Sequence, residues 1–194
     1  MLELQVPPNI LDSEWLRAQS LANGTPPHWF GLGFIQLKLT ENTRIHFWLP
    51  WLKGNEREEI LNHRYNFVSR VLAGSLHKEI YQVTPNDFGD HELFTTTCAP
   101  GSEGESKDFR SVSCSQIAAF DLKAPSTYFF GHDQFHTTEG TDFAITYLER
   151  ESKVKSDAMV VKLAGAPTTC PFANPLPVDE LWEHIERGLE YASR

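Results

Sequence analysis

Eight histidines are spread over 194 residues, and two stretches of chain place some of them beside other groups able to bind a metal or move a proton. In residues 61–81, strand-type alternation puts His63, Tyr65, Phe67, Ser69 and Val71 on one face, and the next run puts His77, Glu79 and Tyr81 together. In the second stretch, Phe130-Gly131-His132-Asp133-Gln134-Phe135-His136 precedes the apolar run 143–148. Imidazoles and carboxylates are donors for divalent first-row metals. A three-histidine or two-histidine-plus-carboxylate face leaves coordination positions open for substrate and dioxygen. His63, His77 and His136 are therefore the candidate metal ligands, with Glu79 as the alternative third donor. Tyr65, Tyr81 and Glu79 are the candidate catalytic groups, acting as acids or orienting a substrate. The structural alternatives are hydrogen-bonded histidines in a pocket without metal, a strand glutamate paired with Lys78, and packed tyrosines with satisfied hydroxyls.

The remaining chemistry-bearing residues read more plainly. His46 alternates with Arg44 and Trp48 on one strand face, and Arg44 is a candidate partner for a substrate carboxylate. His28 sits in a proline-flanked loop, His184 on a terminal helix as a surface residue, and His132 four residues before His136 as an alternative or supporting ligand. Arg64 and Arg70 alternate to the face opposite His63. No basic group adjoins Cys98, Cys114 or Cys170 to lower a thiol pKa, and three cysteines without a CxxC pair argue against a disulfide framework. The chain holds no GxSxG elbow, phosphate-binding glycine loop or HExxH helix.

The elements that must position these groups are mostly strands. Residues 10–22 read as a helix with Ser13 as N-cap. Short runs rich in Val, Ile, Phe, Tyr and Thr then alternate with turn signals to residue 163. The candidate strands are 33–39, 44–49, 65–73, 75–83, 91–97, 109–122, 126–130, 143–149 and 158–163, with a tight reversal at Gly74 and a turn at Glu139-Gly140. The acidic loop 101–108 is a solvated connection or a lid over a barrel mouth, and residues 167–177, with four prolines, are extended. In 178–191, Leu181, Trp182, Ile185 and Leu189 form one helical stripe that either caps the strands or mediates a homodimer.

Composition sets the outer bounds. With 40% hydrophobic and 22% charged residues, the length suits one globular domain over 1–194. A net charge of −9 without a local basic cluster excludes non-specific nucleic-acid binding. No apolar run approaches the roughly 20 residues of a membrane span, and the acidic, broken start is unlike a signal peptide. The expectation is a soluble, cytoplasmic protein with reduced thiols and a small-molecule substrate or ligand.

Over residues 33–163 the sequence resembles the cupin superfamily. The first cupin motif runs histidine, one residue, histidine, a glutamate four or five positions on, and a glycine about six further. His63 and Gly74 match the second histidine and the glycine, whereas Leu61 stands at the first histidine and Phe67 or Val68 at the glutamate. His136, before a late strand, matches the lone histidine of the second motif. The string His63-Arg64-Tyr65-Asn66-Phe67, with Ser69, Leu72, Gly74 and Tyr81, is similar to cupins related to the thiol dioxygenases. The resemblance implies an all-β, antiparallel jelly-roll barrel (about 33–163) with short flanking N- and C-terminal helices. It also implies a metal-dependent dioxygenase of a small polar molecule, using a divalent metal, Fe(II) in that family. The two replaced ligands imply the alternatives: a degenerate, metal-free barrel that binds a small ligand without catalysis, or an isomerase or epimerase in which a His/Tyr pair moves protons.

Overall fold

The computed structural model describes residues 4–52, 60–96, 106–155, 157–166 and 175–194. Cys98, Cys170, the loop segment 101–105 and the proline-rich segment 167–174 lie outside the described residues. The elements in chain order are α1 (Ser13–Asn23), β1 (His28–Phe30), β2 (Phe34–Lys38), β3 (Thr43–Trp48), β4 (Ile60–Leu61), β5 (Tyr65–Pro85), β6 (His91–Thr96), β7 (Ser106–Lys123), β8 (Thr127–Phe130), β9 (Phe135–Lys153), β10 (Ala158–Leu163) and α2 (Val178–Ala192). The chain is an all-β, antiparallel barrel of jelly-roll type with a short helix near each terminus. No described helix is long and apolar enough to cross a membrane.

Two long strands organise the barrel. The first half of β5 and the second half of β9 pair with each other and belong to one sheet, ordered β1-β2-β3-β9-β5-β8. Their other halves also pair and belong to a second sheet, in which β5 continues through β7, β6, β10 and β4. The ring closes where Leu61 of β4 pairs with His136 of β9.

The central strands of the first sheet are covered on both faces. Ile35 and Leu37 of β2, Ile45 and Phe47 of β3, and Phe143, Ile145 and Tyr147 of β9 pack with Leu16 of α1 and Leu181, Trp182 and Ile185 of α2. This is the largest apolar core, and it lies between the sheet and the helices rather than inside the barrel. The stripe of α2 thus packs within the chain, which is the capping role expected of it. His184 is not free on the surface, since its Nδ1 accepts from Trp51 Nε1 at 3.2 Å.

Several local expectations are corrected. The N-cap of α1 is Asp12, whose Oδ1 accepts from Trp15 N at 2.7 Å, not Ser13, which is the first helical residue. The chain does not reverse at Gly74: residues 65–85 form one strand of 21 residues, flanked by β9 on one side and by β8 and then β7 on the other. Two short strands, β1 and β4, fall outside the expected set. Strand β9 begins at Phe135 rather than at 143, so Glu139-Gly140 lies within it. The sequence signals were genuine breaks in regularity, but here they produce bulges and not turns.

Gly74 has φ +70°, and a Cβ added there would stand 1.9 Å from the backbone oxygen of Phe143. The register with β9 shifts on either side of it, between Val71 and Ala73 and between Gly74 and Leu76. Before the shift the buried positions are 65, 67, 69 and 71; beyond it they are 76 and 78. One slipped residue exchanges the two faces of a strand. Gly74→Ala therefore destabilises the protein by more than about 2 kcal/mol, read as a lower midpoint in urea unfolding; an unchanged midpoint would show that the bulge is not constrained.

Candidate functional site

The face of the first sheet that the helices do not cover looks into the barrel. On β3, Ile45 and Phe47 go to the helical core, while His46 and Trp48 line an interior cavity of about 810 Å³. Thr146 and Leu148 of β9 line it by the same alternation. His46 Nε2 lies 3.2 Å from Gln36 Oε1, to which Arg44 Nη1 donates at 3.1 Å. Arg44 also donates to the hydroxyl of Tyr65 at 3.1 Å, and its guanidinium and that of Arg150 lie 5.4 and 5.3 Å from the centre of the Tyr65 ring. Arg44 is therefore occupied within the wall, and so is Tyr65, which is buried and does not border the cavity.

His63, in the connection between β4 and β5, and His136, the second residue of β9, line the cavity with ring centres 5.0 Å apart. Phe67 meets the His63 ring edge-on at 5.0 Å, and Phe130 meets the His136 ring at 4.3 Å. The structure thus brings together two histidines 73 positions apart in the chain.

His77 stands apart from them. The slip at Gly74 turns it away from the cavity, where its Nδ1 pairs with Asp121 Oδ1 at 2.8 Å. That hydrogen bond raises its pKa. Glu79 and Tyr81 do border the cavity but are engaged with each other. Tyr81 Oη donates to Glu79 Oε2 at 2.6 Å, and Thr137 Oγ1 donates to the same oxygen at 3.2 Å. The Tyr81 bond is the main reason the Glu79 carboxyl is held below the usual range. His132 is tied by its backbone N and its Nδ1 to Asn66 Oδ1.

In the place expected for His77 the slip puts Lys78, only 2% exposed. Its Nζ donates to Thr138 Oγ1 at 2.8 Å and lies 4.9 and 4.8 Å from the ring centres of Tyr128 and Phe130. No carboxylate pairs with it among the described residues. Burial alone lowers its pKa to about 7. The sequence did carry a signal for this residue: Leu76-x-Lys78-x-Ile80 sets a lysine on an apolar period-2 face.

The imidazoles respond to the same environment. Burial, followed by Arg44, holds His46 down to about 3. Burial, followed by Lys78, holds His63 down to about 3 and His136 well below its ordinary value. Burial and then Asp90 push the Cys114 thiol up, so it is not an activated nucleophile.

A tightly held divalent ion needs three or more protein donors. Among the described residues no group of three His, Cys, Asp or Glu side chains is placed to hold one. The His63–His136 pair has a buried ammonium group for a neighbour rather than a carboxylate, and that charge opposes a second cation. This donor set does not fit Fe(II).

No protein-family model matches the chain, and no curated protein matches it in sequence. Among solved structures it is similar to the crystal structure of hydroquinone 1,2-dioxygenase PnpCD in complex with Cd2+ and 4-hydroxybenzonitrile. The identity is 8%, the TM-score 0.37, and the match covers 79% of this chain and 82% of that one. At that level the likeness assigns neither residues nor chemistry to this chain.

The buried neutral imidazoles make the fold acid-sensitive. His46 and His63 each bind a proton near pH 6.5 when unfolded but not when folded, so the contribution of each is complete above pH 6.5 and is lost as pH falls toward 3. At pH 5 that is roughly 2 kcal/mol per histidine. His63→Leu shifts the midpoint of acid unfolding, followed by tryptophan fluorescence, to lower pH. An unmoved midpoint would mean that the native imidazole is already charged.

Proposed function

We propose that this chain binds a small, largely apolar molecule inside the barrel, with one acceptor group of that molecule directed at Lys78 and Thr138. The observation that carries this reading is an unneutralised, buried amine facing a cavity of about 810 Å³, within the size range of small-molecule pockets. Phe67, Tyr128 and Trp48 supply apolar wall for the body of the ligand, and neutral His46, His63 and His136 supply hydrogen-bonding groups that carry no charge. A buried cation without a partner is costly, and a ligand acceptor relieves that cost while taking its own binding energy from the apolar surface it covers.

The cupin resemblance also suggests an iron-dependent oxygenase of a small polar molecule, with His63 and His136 as ligands. The donor set of the cavity is what weighs against it, because the third position is met by Lys78. An isomerase in which Tyr81 and Glu79 move a proton has their short hydrogen bond in its favour, but both groups are already satisfied by each other and by Thr137.

The binding reading is tested with 1-anilinonaphthalene-8-sulfonate, an apolar aromatic anion. Saturable one-to-one fluorescence enhancement is expected with the folded protein. Lys78 is charged below about pH 7, so the affinity falls about ten-fold between pH 6 and pH 8, corresponding to about 1.4 kcal/mol. Lys78→Met weakens binding similarly and removes the pH dependence. Probe binding indifferent to Lys78 would overturn the proposal, as would stoichiometric iron in protein made without an affinity tag and lost on His63→Ala or His136→Ala.

A further inference from the structure

Lysine amines on a protein surface are protonated at neutral pH and therefore poor nucleophiles. An amine becomes reactive toward carbonyl carbon when it is held in an apolar pocket, free of carboxylates, with room beside it for the electrophile. Lys162 shows the ordinary arrangement for a buried lysine in this fold: its Nζ lies 3.9 Å from Glu92 and donates to the backbone oxygen of Ala166. Lys78 is built differently. Its stem comes up between Leu76 and Ile80, its Nζ contacts two aromatic rings and one hydroxyl, and it opens onto the cavity. Besides Lys78, the titratable groups that line the same cavity are His46 from β3, His63 from the β4–β5 connection, Glu79 and Tyr81 from β5, His91 from β6, Cys114 from β7, Tyr128 from β8, and His136, Glu139 and Asp142 from β9. His46, His63 and His136 are uncharged at neutral pH because burial holds their pKa values down, and Tyr128 because burial pushes its own up to about 12; the carboxylates Glu139 and Asp142 are exposed. Glu79, the nearest carboxylate along β5, is held by Tyr81 and Thr137.

Resting on the ligand-binding reading, we infer that the acceptor group of the ligand is a carbonyl, and that Lys78 captures an aldehyde or ketone covalently as an imine. The nitrogen lone pair forms a bond to the carbonyl carbon while the C=O π pair moves to oxygen. That oxygen takes a proton from the nitrogen, with the Thr138 hydroxyl one hydrogen bond away as the relay. The C–O bond of the carbinolamine then breaks, water leaves with the second amine proton, and C=N forms. One carbonyl and one amine give one imine and one water, with no change of oxidation state. The aromatic wall that disfavours the ammonium ion accommodates the apolar substituent of the carbonyl compound.

The test uses the full chain with benzaldehyde as probe and sodium cyanoborohydride as the reductant that converts the imine to a stable secondary amine. At pH 7 and limiting aldehyde, one benzyl group per chain is expected. Peptide mapping should place it on Lys78, at least ten-fold faster than on any other amine, including the N-terminus. Lys78→Arg abolishes the fast adduct while leaving slow surface labelling unchanged. Adducts distributed over the surface amines, with Lys78 unmodified, would overturn the inference. Should the anilinonaphthalene probe still bind that same preparation in a Lys78-dependent way, the pocket stands and the covalent step alone falls. Loss of both would remove the pocket as well.

Discussion

The structure depends on one constraint: the central strands of the first sheet, β2, β3 and the second half of β9, are covered on both faces. A strand has two faces, and here the helices claim one of them for the apolar core. Every second residue of β2, β3 and β9 therefore serves that core, as Ile35, Ile45, Phe47 and Ile145 do. The intervening residues look inward, and they include Gln36, Arg44, His46 and Thr146. Because stability is supplied mainly on the helical side, the barrel interior can hold polar side chains and empty space without losing the fold. The cavity follows from where the core sits.

Inside that cavity, electrostatics favours a single positive charge at most. Three imidazoles and an ammonium group share a desolvated space: burial is the main cause that keeps the imidazoles neutral, and the Lys78 charge adds to it at all three. Of the carboxylates that line the cavity among the described residues, Glu79 is satisfied by Tyr81 and Thr137, whereas Glu139 and Asp142 are exposed to solvent. Such a site accepts electron pairs from a guest more readily than it accepts a metal ion. That preference is set by the donor set itself, so it differs from the ligand pattern to which His63 and His136 bear a resemblance.

Much of the fold was legible in the sequence, because period-2 alternation and turn residues report directly on strands. The alternation of Arg44, His46 and Trp48 against Ile45 and Phe47 already separated the two faces of β3, and the stripe of α2 gave its buried side. What could not be read was the consequence of Gly74. A glycine between two strand-like runs is equally compatible with a reversal and with a bulge, and only the pairing partners decide. Here β9 pairs with the chain on both sides of it and β7 takes over from β8 just beyond it, so the chain runs on and the phase slips by one. That slip removes His77 from the interior and puts Lys78 in its place, while Glu79 and Tyr81 further along β5 still border the cavity. The convergence of His63 with His136 rests on the β4–β9 closure, a single residue pair at Leu61, which no local pattern announces.

The shared strands β5 and β9 have a mechanical consequence. Each sheet contains half of both, so the two walls of the barrel cannot separate like the halves of a shell without breaking continuous backbone ladders. For the proposed guest, entry would then not come from the two walls parting, and its rate would be set separately from how tightly the interior grips. Under that proposal, residence time and affinity are separately adjustable properties of the same molecule.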